Sequence, residues 1–118
     1  MKSLILPLLA GLMFIAAGLA AQGSSSLTGE IMDSACVQRG SHDAMMKSHP
    51  NMKTAKDCTI GCVKAGAKYV LYDSSTKSVY QLSDQKKAEE FAGQKVTVTG
   101  KLDKGTNTIE ETNIRPAA

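Results

Sequence analysis

The chain has 118 residues, a formal net charge of +3, 42% apolar and 4% aromatic residues, and no tryptophan. That length suits one small domain. Charges of both signs are interspersed apart from the short run DQKKAEE, which excludes the one-sided basic face of a nucleic-acid-binding surface.

The opening MKSLILPLLAGLMFIAAGLAAQGSSS carries Lys2, then an apolar run from Leu4 to Ala21 closed by small residues. Gly18-Leu19-Ala20 and Leu19-Ala20-Ala21 both have cleavage-like form, so residues 1–21 read as a signal peptide. The run is near the minimum for spanning a membrane and no basic cluster follows it, which argues against a permanent anchor. The expected location is periplasmic or secreted, with the membrane met only during export. Residues 22–26 are expected to be a flexible lead-in, followed by a single domain over 27–118. The mature chain of about 97 residues would bury only roughly two thirds of its unfolded surface, so its core is thin.

In LTGEIMD, Leu27, Gly29 and Ile31 alternate with Thr28 and Glu30, which predicts a first strand. A polar stretch without periodicity then runs to Met52 and reads as a long loop. TAKDCTIGCVKAGAK predicts a helix: Thr54 and Asp57 have capping-box spacing, and Ala55, Cys58, Cys62 and Ala65 fall on one face. Gly66 suits the carboxyl-terminal cap. Gly61 is out of place in its interior, at about 1 kcal/mol against alanine, which implies a close approach or an irregular turn. KYVLYD and SVYQLS predict a hairpin across SSTK, and SDQKKAEEFAG predicts a short helix capped by Ser83 and stopped by Gly93. QKVTVTGKLD alternates Val96, Val98, Gly100 and Leu102 inward, and TIEETNI returns after KGTN. Ile109 and Ile114 have opposite parity, which predicts a bulge near Glu111 or Thr112.

The expected fold is mainly β with two short helices: a five-stranded OB-like barrel with a cysteine-rich insertion, residues 34–67, between strands 1 and 2. The pattern TGEIMDSAC…DCTIGCVKAGAKYVLYD…VYQLSDQ…FAGQKVTVTGKLD…TIEETNI resembles a family of small exported bacterial domains of unknown function. The resemblance spans nearly the whole mature chain. It implies an OB-like barrel, a cysteine-bearing insertion and export, and it brings no activity with it.

The chemistry is concentrated in residues 36–62, which hold all three cysteines, both histidines and three of the six methionines. Two readings stand. In the first, Cys36, His42, Cys58 and Cys62 form a Cys3His metal site with spacing C-x5-H-x15-C-x3-C. These ligands suit tetrahedral zinc or copper(I). Met45, Met46 and Met52 are further candidate ligands whose soft thioethers tilt the choice towards copper(I). His49 could replace His42, and Asp33 and Asp43 are candidates to orient an imidazole. In the second, Cys36 is joined to Cys62 or Cys58 by a disulfide, which an oxidising compartment favours and which would add about 3 kcal/mol. The odd cysteine number leaves one thiol over. A Cys58–Cys62 bridge is disfavoured, because i and i+4 Cβ atoms on a helix lie about 5–6 Å apart, where a bridge wants roughly 3.8 Å.

No nucleophile elbow, phosphate-cradling loop or H-E-x-x-H motif is present. The expectation is a non-enzymatic domain that binds a soft metal. The alternative is a disulfide-stapled envelope module that binds a peptide, glycan or protein, with Tyr69, Tyr72 and Tyr80 as its binding platform.

Overall fold

The computed structural model describes residues 23–118; the segment read as a signal peptide lies outside them. Five strands form one mixed sheet: β1 (Ser25–Asp33), β2 (Tyr69–Asp73), β3 (Ser78–Leu82), β4 (Lys95–Asp103) and β5 (Thr108–Pro116). The sheet closes into a ring in the order β1-β2-β3-β5-β4. β1 already begins at Ser25, inside the stretch expected to be lead-in.

β1 makes closure possible because it serves two neighbours. Its first part pairs with β4, from Ser25↔Gly100 to Glu30↔Lys95. Its last part pairs with β2, from Glu30↔Tyr72 to Asp33↔Tyr69. The seam between β3 and β5 is parallel and short, with Gln81↔Thr108 and Leu82↔Ile109. β4 and β5 are antiparallel, and the register passes from Thr99↔Asn113 to Gly100↔Glu111, leaving Thr112 as the extra residue. The bulge implied by the parity of Ile109 and Ile114 is therefore present, and it lets both isoleucines face inward.

Side-chain alternation divides the apolar residues between two cores. Inside the ring lie Ile31, Leu71, Leu82, Val96, Val98, Ile109 and Ile114, together with Tyr69, Ala88 and Ala92. Met32 and Val70 point outward, as do Tyr72 and Val79. A polar sheet exterior would leave such residues in water; here the insertion covers them with Cys36, Val37, Cys58 and Cys62.

The insertion holds more helix than the expected two short helices allowed. A 3-10 turn spans Cys36–Arg39, followed by α1 (Asp43–Ser48) and α2 (Ala55–Lys64). The first two are too short to show a period, and α1 is held by the half-buried Met45 and Met46 packed on the outer core. α2 serves both cores, turning Cys58 and Cys62 outward of the ring and Ile60 and Val63 against the inner cluster. The third helix, α3 (Gln85–Glu89), is capped by Asp84, whose side chain accepts the Lys87 N–H at 3.1 Å. Ser83 was the expected cap; it instead donates its N–H to Ile109 O across the parallel seam.

Gln85 ties α3 to the sheet edge by imitating a strand. Its Oε1 accepts the Tyr69 N–H at 2.8 Å, and its Nε2 donates to Tyr69 O at 3.0 Å and to Leu82 O at 2.9 Å. Gly93 follows, at φ +75, and a Cβ there would collide with the backbone of Lys56 in the first turn of α2. Glu111 faces inward just before the bulge; its Oε2 accepts the Asp84 N–H at 2.8 Å, while its buried Oε1 has no partner.

Two outcomes follow. Gly93→Ala is expected to cost about 2 kcal/mol or more, since it combines a left-handed backbone with a backbone collision; urea unfolding measures it. Burial holds the Glu111 carboxyl above the usual glutamate range, opposed by the Asp84 N–H. The stability linked to that proton is present below the ordinary glutamate pKa and is lost as pH rises through the raised one. Glu111→Gln should thus be more stable than wild type at neutral pH, with the difference fading towards about pH 4. Thermal melts across that range that show the variant less stable at neutral pH would contradict the assignment.

Candidate metal centre

The site starts with the last residue of β1. Asp33 is fully buried, and its Oδ1 accepts the N–H groups of Ala35 at 3.0 Å and Cys36 at 2.8 Å. This Asx-type turn ends the strand and launches the 3-10 turn, which fixes Cys36 directly beyond it. The other oxygen, Oδ2, is buried with no partner.

His42 stands at the amino-terminal cap of α1, where its carbonyl oxygen accepts the Met46 N–H at 2.9 Å. The residue is 7% exposed, and neither ring nitrogen makes a hydrogen bond. Nε2 lies 3.5 Å from Glu30 Oε2, a long ion-pair distance. The Glu30 carboxylate holds the imidazole above its usual pKa, against the opposing effect of burial.

Cys58 enters from the first turn of α2. That turn is set by Thr54, whose hydroxyl accepts the Asp57 N–H at 3.1 Å, while Asp57 Oδ2 accepts the Lys53 N–H at 3.2 Å. The expected Thr54–Asp57 pairing is present, with the return bond taken by the residue before the cap. Cys58 Sγ is 3.7 Å from Cys36 Sγ.

One ligand atom each from Asp33, Cys36, His42 and Cys58 lies within 4.8 Å of every other, and all four residues are buried. Carboxylate oxygen, imidazole nitrogen and two thiol sulfurs make a donor set suited to a tetrahedral metal ion. A buried carboxylate oxygen and imidazole nitrogens without partners are costly unless something satisfies them, and a cation at this point would do so.

Three of the four residues expected as ligands are therefore brought together. Asp33, expected behind an imidazole, supplies the fourth donor. Cys62 is buried beside the set, in the same cluster as Cys36 and Cys58, rather than within it. Asp33 was accessible to sequence reading through D-x-x-C at a strand end, where aspartate commonly starts a turn. The structure also explains Gly61: a Cβ there would come within 2.5 Å of the Met52 methyl, so the glycine makes room for that side chain.

Among the other candidates, Met45, Met46 and Met52 pack half-buried against the cysteine cluster. His49 is exposed, with Nδ1 3.1 Å from the Met45 carbonyl oxygen, and Asp43 is exposed on the first turn of α1. The disulfide alternative from Cys36 to Cys62 or Cys58 is not formed; all three cysteines are free. The three tyrosines do not share a platform either. Tyr69 and Tyr80 pack with the inner core and Tyr72 with the outer one.

Burial, followed by its contact with Cys58 and by the negative Asp33, pushes the Cys36 thiol far above its usual range. Burial and then Asp33 push Cys62 up to about 11. Without metal, alkylation of Cys36 and Cys62 at pH 8 should run on the order of a hundredfold slower in the folded chain than in denaturant. Equal rates by timed iodoacetamide labelling would mean that the thiols are open to solvent.

Residues 61–117, a little under half of the chain, match the family model described as Protein of unknown function (DUF5818). The match takes in Cys62 and strands β2 to β5, and it starts after Asp33, Cys36, His42 and Cys58. Searches of curated proteins and of solved structures found no match. Over most of its ring, the chain is similar to a family whose function is unknown.

Proposed function

We propose that this is an exported, non-enzymatic domain with an OB-like barrel, in which the end of β1 and the insertion together hold one zinc ion through Asp33, Cys36, His42 and Cys58. The observation that carries the reading is the convergence of four buried donors, with Asp33 Oδ2 and His42 Nδ1 without a partner and His42 Nε2 met only by Glu30 at 3.5 Å.

Zinc fits this set better than copper(I). A carboxylate is a hard donor that copper(I) avoids, and zinc accepts carboxylate, imidazole and thiolate alike. Charge agrees: one carboxylate and two thiolates place three negative charges in a buried pocket, and a divalent ion neutralises more of them than a monovalent one. Glu30 beside His42 is an outer carboxylate of the kind that orients a ligating imidazole. Four protein donors leave no open coordination position, which favours a structural site over a catalytic one. The barrel reading draws support from the ring order, the parallel β3–β5 seam and the helix between β3 and β4. Export rests on the amino-terminal pattern of charge, apolar run and small residues.

The test is a zinc titration of the reduced full chain with elemental analysis, with copper(I) in competition. One zinc per chain is expected, with thermal stabilisation that a chelator reverses. Asp33→Asn and His42→Ala should each weaken zinc binding by about tenfold or more, while His49→Ala and Cys62→Ser keep the stoichiometry. Binding that is indifferent to Asp33 and His42, or copper(I) held in preference to zinc, would overturn the assignment.

A further inference from the structure

Cys36 and Cys58 are the two site residues able to bond to each other. Their sulfurs are 3.7 Å apart, and a disulfide needs about 2.05 Å. They come from different elements, the 3-10 turn after β1 and the first turn of α2, so a bond between them avoids the strain of an i, i+4 bridge within one helix. The neighbours are already arranged for its consequence. Asp33 keeps the Ala35 and Cys36 N–H groups, and His42 keeps Glu30 beside it. Neither loses every partner if a metal departs. Glu30, the neighbour of His42, also lines an open groove of about 480 Å³ with Thr28, Gly40, Tyr72 and Asp73, which brings solvent to the outer side of that carboxylate.

From this geometry we infer that the zinc centre is redox-gated: hydrogen peroxide converts the Cys36–Cys58 thiolate pair into a disulfide and thereby releases the ion. The inference rests on the zinc reading above. The Cys36 sulfur attacks one peroxide oxygen; the O–O bond breaks, hydroxide leaves and is protonated to water, and Cys36 becomes a sulfenic acid. The Cys58 sulfur then attacks the Cys36 sulfur, forming S–S and breaking S–O, and the second oxygen leaves as water. Each sulfur gives up one electron, and the peroxide takes both. Asp33 and His42 alone remain, which is too few donors to hold zinc.

The experiment loads the full chain with one equivalent of zinc and adds hydrogen peroxide, following free zinc with a chromogenic chelator and thiols by alkylation and peptide mapping. One zinc released for each Cys36–Cys58 bond, with zinc taken up again after a dithiol reductant, is the expected result. Cys62→Ser should release zinc to the same extent, which separates the pair from the third thiol without removing a ligand. Zinc retained under peroxide, or a bond mapped to Cys62, overturns the inference and leaves the zinc reading standing. A chain that never binds zinc overturns both, whatever its thiols do.

Discussion

A buried carboxylate at a strand end governs this molecule. Asp33 is the last residue of β1, has no solvent exposure, and spends one oxygen on the N–H groups of Ala35 and Cys36. That use of Oδ1 ends the strand, starts the 3-10 turn and fixes where Cys36 can be. It also leaves Oδ2 buried with no partner, in a residue grouped with two thiols and an imidazole, where an unsatisfied carboxylate oxygen is expensive. The same side chain thus sets the backbone path and creates an electrostatic problem that a cation would resolve.

The rest of the insertion follows from covering the wrong side of a sheet. A five-stranded ring needs one apolar face, yet β1, β2 and β3 also carry Met32, Val70, Tyr72 and Val79 on the other. The covering segment has few large apolar side chains; its buried members are Cys36, Val37, Cys58 and Cys62. Sulfur-rich packing of this kind excludes water with little hydrophobic gain per residue. Donor atoms that bind an ion can compensate for that thin outer core, which ties the chemistry of the site to the stability of its surroundings.

The inner ring was legible because its signals are local and repeated. Alternation located β1 and β4, and the broken parity of Ile109 and Ile114 located the bulge at Thr112. Gly61 signalled a close approach, though only the structure shows that Met52 makes it. What was hidden depended on contacts distant in sequence. Asp33 looked like an outer helper because burial of a strand-end carboxylate depends on how the insertion folds back. α1 is too short for periodicity and exists by packing. Ser83 and Asp84 are both good caps; the parallel seam takes the serine backbone and leaves the aspartate to cap α3. The tyrosines could be assigned to strands from sequence, but not sorted between two cores.

Glu30 is where β1 passes from β4 to β2, the one residue of the strand paired on both sides, with Lys95 and Tyr72. Its outward side chain is also the one that meets His42. A strand that slipped by one residue would turn that carboxylate into the interior and bring a neighbour of opposite facing to the imidazole. The surroundings of His42 are therefore a gauge of sheet register: Glu30 meets the imidazole only where β1 is aligned so that this carboxylate faces outward.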